Sequence, residues 1–507
     1  MKTLTEADFE QLLKSKRSIE LIQRQYEFLI HNTAIEREIE EATLGNGIQK
    51  LSPETQSAAI DCFFKERERR NWMKFVPASG AASRMFAPFF AFQKAKKTPG
   101  FVFDDYCNSE EGHLIADVFK QLKRLPFYIS AHAKIVQDSS FSMNTEADFF
   151  EAFVSLVLDK DGLGYPDLPK ALIPFFVDEQ GLEWTAFEAQ ILEGFQLGDQ
   201  QTVIPIHLTI DKENRVAFEA AEANFRAKLT PNQIRNFSVD YSYQHPLTDT
   251  PYLNSKKEWV RDNEGKIAFM KGVHGALLEN LNRLDADCIW IKNIDNILLN
   301  EANIKGERWM RILGGQLITI QSELFTHLEN LEKQKSEANF DEIIAFIQKH
   351  FDPNYTIKSS GKMPYQILYD YLYRPIRICG MIPNEGAKGG GPFWKKDARG
   401  KSLQIIESVE LDHNNPDHQK AIDQSSHFNP VMMVCGITDH NGEKFSLYEF
   451  RDEKRFMVSQ KTDGASTIKI LEWPGLWNGG MAAWNTLFVE VPSETFNPVK
   501  TIADLIR

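Results

Sequence analysis

Apolar residues recur at helical spacing through the first part of the chain. Residues 5–8 (TEAD) have the composition of a helix start, and Ser52 followed by Pro53 is typical of an N-cap and first helical residue. The apolar positions that carry the helical period after the first start are Phe9, Leu12, Leu13, Ile19 and Ile22. This pattern predicts a helical N-terminal region over residues 1–70.

Strand-like apolar runs and helical patterns then alternate. The predicted strands are 74–76, 201–210, 234–243 and 287–291, and the predicted helices among them are 185–195, 214–227 and 272–284. Alternation of this kind favours an α/β fold with a Rossmann-like, mixed but mostly parallel sheet flanked by helices. Ligands bind beyond the carboxyl ends of such strands, so the loops after Val76, residues 237–243 and Ile291 are expected to form the site.

The remaining stretches differ in pattern. Residues 99–164 show helix and loop composition without alternation, and 147–158 is their clearest helix. Helices are also predicted at 301–332, with an interruption at the glycine pair 314–315, and at 340–350 and 364–373. Strands are predicted in 404–412, 430–437 and 486–491.

These patterns predict four regions. They are a helical N-terminal region (1–70), an α/β core (71–98 and 165–380), a helical insertion (99–164) and a strand-rich part that completes the core (381–507).

Composition narrows the functional classes. The net charge of −13 argues against a general binder of nucleic acid or anionic membranes. The five cysteines form no CxxC pair, so neither a zinc site nor a disulfide framework is expected. The N-terminal residues are amphipathic and acidic, unlike a signal peptide, and no apolar run approaches the ~18 residues of a membrane span. A cytoplasmic location is expected.

Residues 75–85 (FVPASGAASRM) carry the first candidate chemistry. Small residues after a strand let backbone N–H groups approach an anion, and a helix start adds partial positive charge. The residues expected to bind nucleotide phosphates are Ala78, Ser79, Gly80, Ala81, Ala82 and Ser83. Alternatively, the stretch is a plain connector. Arg84 follows at once; as a surface arginine at a helix start it would oppose the helix dipole, so an anionic partner is favoured.

Four further segments extend this observation. Together with VPASGAASRM (76–85) they are, in chain order, LPKALIPFF (168–176), KGVHGALLENL (271–281), IWIKNIDNIL (289–298) and, more weakly, AWNTLFVEV (483–491). The first two resemble the signature loop and the Pro-Lys-x-Leu-x-Pro motif of sugar-1-phosphate nucleotidyltransferases, with a long insertion between them. The others resemble the Gly-His-Gly, Asn-x-Asp-Asn and late Asn-Thr-Asn segments of UDP-glucose, UDP-sugar and UDP-N-acetylhexosamine pyrophosphorylases.

The resemblance implies a nucleotide-diphospho-sugar transferase fold of the GT-A type, with 71–98 and 165–380 as the nucleotide-binding core and 381–507 completing the core and the sugar side. The chain departs from the family at Ser79 and Ala82, where the family usually has glycine. A methyl group at Ala82 is expected to weaken or reshape nucleotide binding, because glycine there permits positive φ and close contact.

The resemblance also implies residue roles. Arg84 and Lys170 would be catalytic by neutralising phosphate charge, although Lys170 also fits an ordinary loop lysine. Asp295 would hold Mg²⁺, which takes one or two carboxylates together with phosphate oxygens. Its alternative is a turn-forming aspartate. Asn296 is a neighbouring nucleotide contact.

Other residues would contact the base and the sugar. By resemblance Gln244 would read the uracil edge, and Gly272, His274 and Gly275 would approach the base and ribose, with a helix-start hydrogen bond as the alternative for His274. Weaker candidates for the sugar phosphate are Lys388, Lys396 and Asn485, for which a mobile surface loop or a turn are the alternatives. The second metal carboxylate stays open among Glu407, Glu410 and Asp412. Core packing is the favoured reading of Trp473, Trp477 and Trp484.

The expected activity is Mg²⁺-dependent nucleotidyl transfer. A sugar 1-phosphate and a nucleoside triphosphate, UTP by resemblance, would give a nucleotide sugar and pyrophosphate. The alternatives are a GT-A-type glycosyltransferase and a non-catalytic binder of nucleotides or nucleotide sugars. The expected partners are these small molecules, without nucleic acid or membrane, and the sequence leaves the oligomeric state open.

Overall fold

The structure is a computed structural model that describes residues 4–31, 38–138, 144–198, 204–235, 238–272, 274–297, 301–358, 361–386, 390–397, 400–428, 430–463 and 466–506. The helices in this part of the chain are α1 (Glu6–Lys14), α2 (Ile19–His31), α3 (Pro53–Glu66), α4 (Ala87–Lys96), α5 (Phe103–Cys107), α6 (His113–Lys120), α7 (Tyr128–Gln137), α8 (Glu146–Leu158), α9 (Ala186–Leu197), α10 (Arg215–Lys228), α11 (Pro231–Arg235), α12 (His274–Arg283), α13 (Glu301–Gln334), α14 (Phe340–His350), α15 (Pro364–Leu372) and α16 (Pro416–Gln424). The strands are β1 (Ile39–Glu41), β2 (Thr43–Leu44), β3 (Gly47–Gln49), β4 (Trp72–Pro77), β5 (Pro174–Val177), β6 (Glu183–Thr185), β7 (Ile206–Thr209), β8 (Val239–Ser242), β9 (Thr250–Asn254), β10 (Phe269–Met270), β11 (Cys288–Ile291), β12 (Ile376–Met381), β13 (Gly391–Asp397), β14 (Gly400–Ile406), β15 (Met432–Gly436), β16 (Met457–Asp463), β17 (Ser466–Glu472) and β18 (Asn485–Glu490).

Several of these helices begin at capping residues, at the positions that the sequence predicts. Thr5 and Asp8 form a capping box at α1, and Thr185 and Glu188 form another at α9. At α3 the Ser52 side chain accepts a hydrogen bond from the Thr55 N–H. The predicted N-terminal starts of α1 and α3 are therefore confirmed.

The chain divides into two compact units. The first unit comprises Met1–Phe75, Ser242–Ile291 and Arg308–Ser493. The second comprises Val76–Tyr241, Lys292–Glu307 and Glu494–Arg507. No described helix is both long and apolar enough to cross a membrane.

The first unit contains seven hydrogen-bonded strands in the order β2-β3-β18-β12-β15-β11-β4. Strand β12 runs parallel to β18, and β11 runs parallel to β4. Strand β15 lies between β12 and β11 and is antiparallel to both. The prediction of a mixed sheet in an α/β fold is confirmed.

Helices cover both faces of this sheet. On one face the indole rings of Trp72 and Trp290 stack 4.3 Å apart, and Phe63 of α3 packs against both. On the other face Phe75 and Ile289 share a core with the apolar stripe of α12. Alternate residues of β4 and β11 therefore serve opposite helical layers.

The second unit contains the predicted helical insertion. Helices α5 to α8 pack with α4 around phenylalanine rings; Phe89 and Phe92 of α4 lie 6.1 and 5.5 Å from Phe150 of α8. Strands β7 and β8 and helices α9 and α10 contribute to the same core.

The structure corrects several predicted elements. The N-terminal region is not all helical, because β1, β2 and β3 lie between α2 and α3. The predicted strand at 234–243 is confirmed only at 239–242, which form β8, whereas residues 234–235 are the end of α11 and 236–237 lie outside the described residues. The predicted strand at 404–412 ends at Ile406 and continues as a short 3-10 helix.

The glycine pair does not interrupt α13, which is continuous from Glu301 to Gln334. A Cβ atom at Gly315 would lie 1.8 Å from the backbone oxygen of Ala59 in α3. The glycine therefore allows two helices to approach closely, and the packing offsets its low helix propensity.

We expect Gly315→Ala to lower the free energy of unfolding by about 1–3 kcal/mol, because the new methyl group has no room beside Ala59. The matched control is Gly306→Ala in the same helix, where a Cβ meets no atom within 4 Å. This control should raise stability by up to about 1 kcal/mol through helix propensity. Urea denaturation of both variants tests the difference, and equal effects would contradict it.

Candidate functional site

The parallel pairing of β4 and β11 sets where the candidate loops begin. Phe75 lies opposite Ile291 in the register, and both residues are buried. Parallel neighbours end at the same edge of a sheet. The chain therefore leaves adjacent strand ends into residues 78–84, here called the small-residue loop, and into residues 292–297, here called the Asp295 segment.

The small-residue loop has a buried side and an exposed side. Ala78 and Ala82 are each 1% exposed and belong to the apolar core of the second unit. Gly80 and Ser83 are exposed, and a Cβ atom at Gly80 would meet only open space. The Ala82 methyl group thus points into the core, on the side of the loop away from solvent.

Backbone hydrogen bonds join the small-residue loop to the Pro-Lys motif. The Ala82 N–H donates to the Leu168 carbonyl at 3.0 Å, and the Lys170 N–H donates to the Gly80 carbonyl at 3.0 Å. The pairing of Ala81 with Pro169 is antiparallel. Two motifs that are far apart in the sequence therefore lie side by side.

Several backbone N–H groups of the small-residue loop are left to bind a ligand or solvent. Among the described residues, no acceptor is found for five of its N–H groups, those of Ser79, Gly80, Ala81, Ser83 and Arg84. The Arg84 side chain is exposed and forms no ion pair within the described part of the chain. Successive open N–H groups beside a guanidinium suit an anion with several oxygens, such as a phosphate.

Lys170 and Asp295 meet directly. Lys170 Nζ lies 2.8 Å from Asp295 Oδ2, with the two side chains 15% and 23% exposed. Asp295 Oδ1 accepts no hydrogen bond from any described residue. The pair is a charge-assisted hydrogen bond at the edge of solvent, so both groups can reach an incoming ligand.

Helix α9 fixes the segment that carries Asp295. The Gln190 side-chain amide donates to the Asn293 carbonyl at 3.0 Å and to the Ile294 carbonyl at 3.4 Å. Glu193 forms a buried ion pair with Lys292. The sequence analysis did not single out Gln190 or Glu193, although two polar residues three apart lie on the same face of a helix, which is a detectable signal.

Residues 494–506, here called the C-terminal segment, also bind the Asp295 segment, and they bind Met85, the residue that follows the small-residue loop. The Val499 N–H donates to the Asp295 carbonyl at 3.0 Å, and the Ile502 N–H donates to the Met85 carbonyl at 3.0 Å. The buried Asn296 side chain accepts from the Asn497 N–H at 2.9 Å and donates to the Thr495 carbonyl at 3.4 Å. Asn296, predicted as a nucleotide contact, thus has its amide bonded to the C-terminal segment.

No group of three or more potential metal ligands occurs among the described residues. Asp295 offers one open carboxylate oxygen. This donor set fits a magnesium ion that completes its shell with substrate phosphates, and does not fit a closed protein cage.

The predicted base-contacting residues belong to the first unit. Gln244 lies two residues after β8 and is half-buried, and His274 begins α12, although its side chain lies outside the description. A Cβ atom at Gly272 would lie 2.4 Å from the Thr248 oxygen, and one at Gly275 would lie 2.4 Å from Trp473 Cβ. Close protein packing therefore accounts for both glycines.

The weaker sugar-phosphate candidates also belong to the first unit. Lys396 is exposed in β13 and lies 4.0 Å from Glu38, whereas Asn485 is buried and donates to the Leu372 carbonyl. Lys388 lies outside the described residues. The Glu410 carboxylate pairs with Arg455 in the interior, which removes it as an open metal ligand. Trp484 is 2% exposed, as the core-packing reading predicts.

The fold and this cluster define a mixed α/β protein with an anion-compatible loop, a lysine and a carboxylate at neighbouring strand ends. The chain belongs to the family described as "Domain of unknown function (DUF4301)", which it matches over residues 5–507. No curated protein sequence matches it.

Several solved structures are similar to this chain. UDP-N-acetylglucosamine pyrophosphorylase from Trypanosoma brucei, in complex with an inhibitor, is 11% identical with a TM-score of 0.47, and the match covers 96% of this chain and 74% of that one. A variant of UDP-glucose pyrophosphorylase from Leishmania major, in complex with UDP-glucose, is 11% identical with a TM-score of 0.45, covering 99% and 77%. UDP-glucose phosphorylase from Trypanosoma brucei is 13% identical with a TM-score of 0.44, covering 98% and 77%.

We expect Asn296→Ala to destabilise the protein by about 1–3 kcal/mol, because it leaves the Asn497 N–H without its acceptor. Limited proteolysis should cleave the C-terminal segment earlier in the variant. The matched control is Asn293→Ala, whose exposed side chain should change stability by less than about 0.5 kcal/mol. Equal protease resistance in the two variants would contradict the anchoring role of Asn296.

Proposed function

We propose that this protein is a Mg²⁺-dependent nucleotidyltransferase of the pyrophosphorylase kind. It would join a sugar 1-phosphate to a nucleoside triphosphate, with UTP as the expected nucleotide. The observation that carries the proposal is the Lys170–Asp295 pair, which lies in one unit with a loop of open N–H groups.

Three charged or polar features support phosphate binding. The small-residue loop offers N–H donors, Arg84 offers an exposed guanidinium and Lys170 offers an ammonium group. Transfer of a nucleotidyl group requires charge neutralisation and in-line positioning more than covalent chemistry from the protein. The local donors satisfy this requirement despite the negative net charge of the chain.

The proposed reaction is a displacement at phosphorus. An oxygen of the sugar 1-phosphate forms a bond to the α-phosphorus of the nucleotide, the bond from that phosphorus to the bridging oxygen breaks, and pyrophosphate leaves with the electron pair. Lys170 and Arg84 would stabilise the charge on the transferring and leaving phosphates.

Asp295 would hold the magnesium ion through Oδ1, while Oδ2 contacts Lys170. When bound, the ion would neutralise phosphate charge and orient the phosphate oxygens. Lys170 keeps the carboxylate in one orientation before the substrate arrives.

The position of Ala82 is relevant to whether the protein is a catalyst or a non-catalytic binder of nucleotides. Its methyl group lies in the core, so it does not fill space on the exposed side of the loop. The departure from glycine at this position therefore gives no preference to a non-catalytic binder.

We expect purified protein with UTP, Mg²⁺ and a panel of sugar 1-phosphates to release pyrophosphate. Lys170→Met should lower kcat/KM by about 100-fold or more, because a donor to the phosphates is lost. The matched control is Lys212→Met, an exposed lysine of the same unit, which should keep wild-type turnover.

The same experiment separates the rival functions. Consumption of a nucleotide sugar without pyrophosphate chemistry would favour a glycosyltransferase. Calorimetric binding of UTP without turnover of any sugar phosphate would favour a non-catalytic binder. Neither binding nor turnover with any nucleotide would reject the proposal.

Magnesium binding should depend on the nucleotide, because Asp295 alone supplies too few ligands. Titration of UTP into the protein should show tighter UTP binding with Mg²⁺ than without it, and Asp295→Ala should abolish both this Mg²⁺-dependent gain in UTP affinity and turnover. Strong binding of Mg²⁺ to the free protein, or full turnover by Asp295→Ala, would overturn the assignment of this residue.

A further inference from the structure

A buried ion pair lies immediately beside the Asp295 segment. Lys292 is 4% exposed and Glu193 is fully buried, and their side chains contact each other directly. Lys292 is the first residue after β11 and precedes Asp295 by three positions. Lys292 therefore begins the segment that carries Asp295.

Helix α9 gives this pair a rigid support. Glu193 and Gln190 are three residues apart, so they project from the same face of the helix. Gln190 bonds the carbonyls of Asn293 and Ile294, while Glu193 bonds the Lys292 ammonium. One face of α9 therefore binds three consecutive residues, 292–294, that directly precede Asp295.

Stability alone does not account for the pair. Removing two charges from water is unfavourable, and apolar residues of similar volume in place of a buried ion pair are often neutral or stabilising. A charge-assisted hydrogen bond has a preferred direction, which apolar packing lacks. The pair supplies orientation to the segment.

We propose that the Lys292–Glu193 pair is a positioning element that sets the Asp295 carboxylate against Lys170. The inference deepens the proposed function and rests on it for the effect on catalysis. The placement of the segment can be measured without any turnover.

The test replaces both members with apolar residues of similar volume in the full chain, Lys292→Met with Glu193→Leu. Amide hydrogen exchange of residues 293–297 should become about tenfold faster or more, while Tm is unchanged or raised. The kcat for pyrophosphate release should fall about tenfold or more, with KM for UTP changed less than about threefold.

The matched control is Lys228→Met. Lys228 pairs with Glu188 on the same helix α9, with Nζ and Oε1 2.7 Å apart, and also donates to the Glu183 carbonyl, but no hydrogen bond or ion pair joins it to the described residues 292–297. Exchange of residues 293–297 and kcat should stay at wild-type values in this variant. Equal exchange in the double variant and in Lys228→Met would overturn the proposal.

Two single variants keep the proposal testable if the double variant does not fold. Lys292→Arg keeps the positive charge, so its exchange and kcat should lie closer to wild type than those of Lys292→Met. Indistinguishable behaviour of the two single variants would also overturn the proposal. If wild-type protein shows no nucleotide turnover, the proposed function fails, and the exchange measurement still decides the positioning role.

Discussion

The parallel hydrogen bonding of β4 with β11 is the constraint on which the candidate site depends. Because Phe75 pairs with Ile291, the chain leaves both strands at one edge of the sheet. The strands are buried on both faces, and a slip by one residue would turn each side chain towards the opposite helical layer, where the packing is different. Core packing thereby fixes where the small-residue loop and the Asp295 segment begin.

The sequence predicts the parts of this arrangement that have local causes. The spacing of apolar residues predicts α8 and α14 closely, and the capping residues Thr5 and Ser52 mark two helix starts. The apolar runs at 74–76 and 287–291 predict the strands after which the small residues and the Asn-x-Asp-Asn segment follow. Each inference uses only neighbours along the chain, which is why it succeeds.

The remaining parts depend on contacts between distant residues. A glycine pair within a helical pattern predicts an interruption, yet Gly315 allows α3 and α13 to approach each other closely. Ala82 suggested a disturbed phosphate loop, yet its methyl group lies in the core. The residues that α9 and the C-terminal segment bind in the Asp295 segment cannot be predicted from local sequence, because they lie far along the chain from their partners.

The C-terminal segment has a consequence for the order in which the protein matures during synthesis. Residues 499 and 502 donate hydrogen bonds to the backbones of Asp295 and Met85, so both candidate loops gain their last anchors from residues translated after every other part of the site. A nascent chain that already holds the small-residue loop, Lys170 and Asp295 would still lack these anchors. Ribosome-bound intermediates would therefore carry the chemical groups of the site before they carry its fixed geometry.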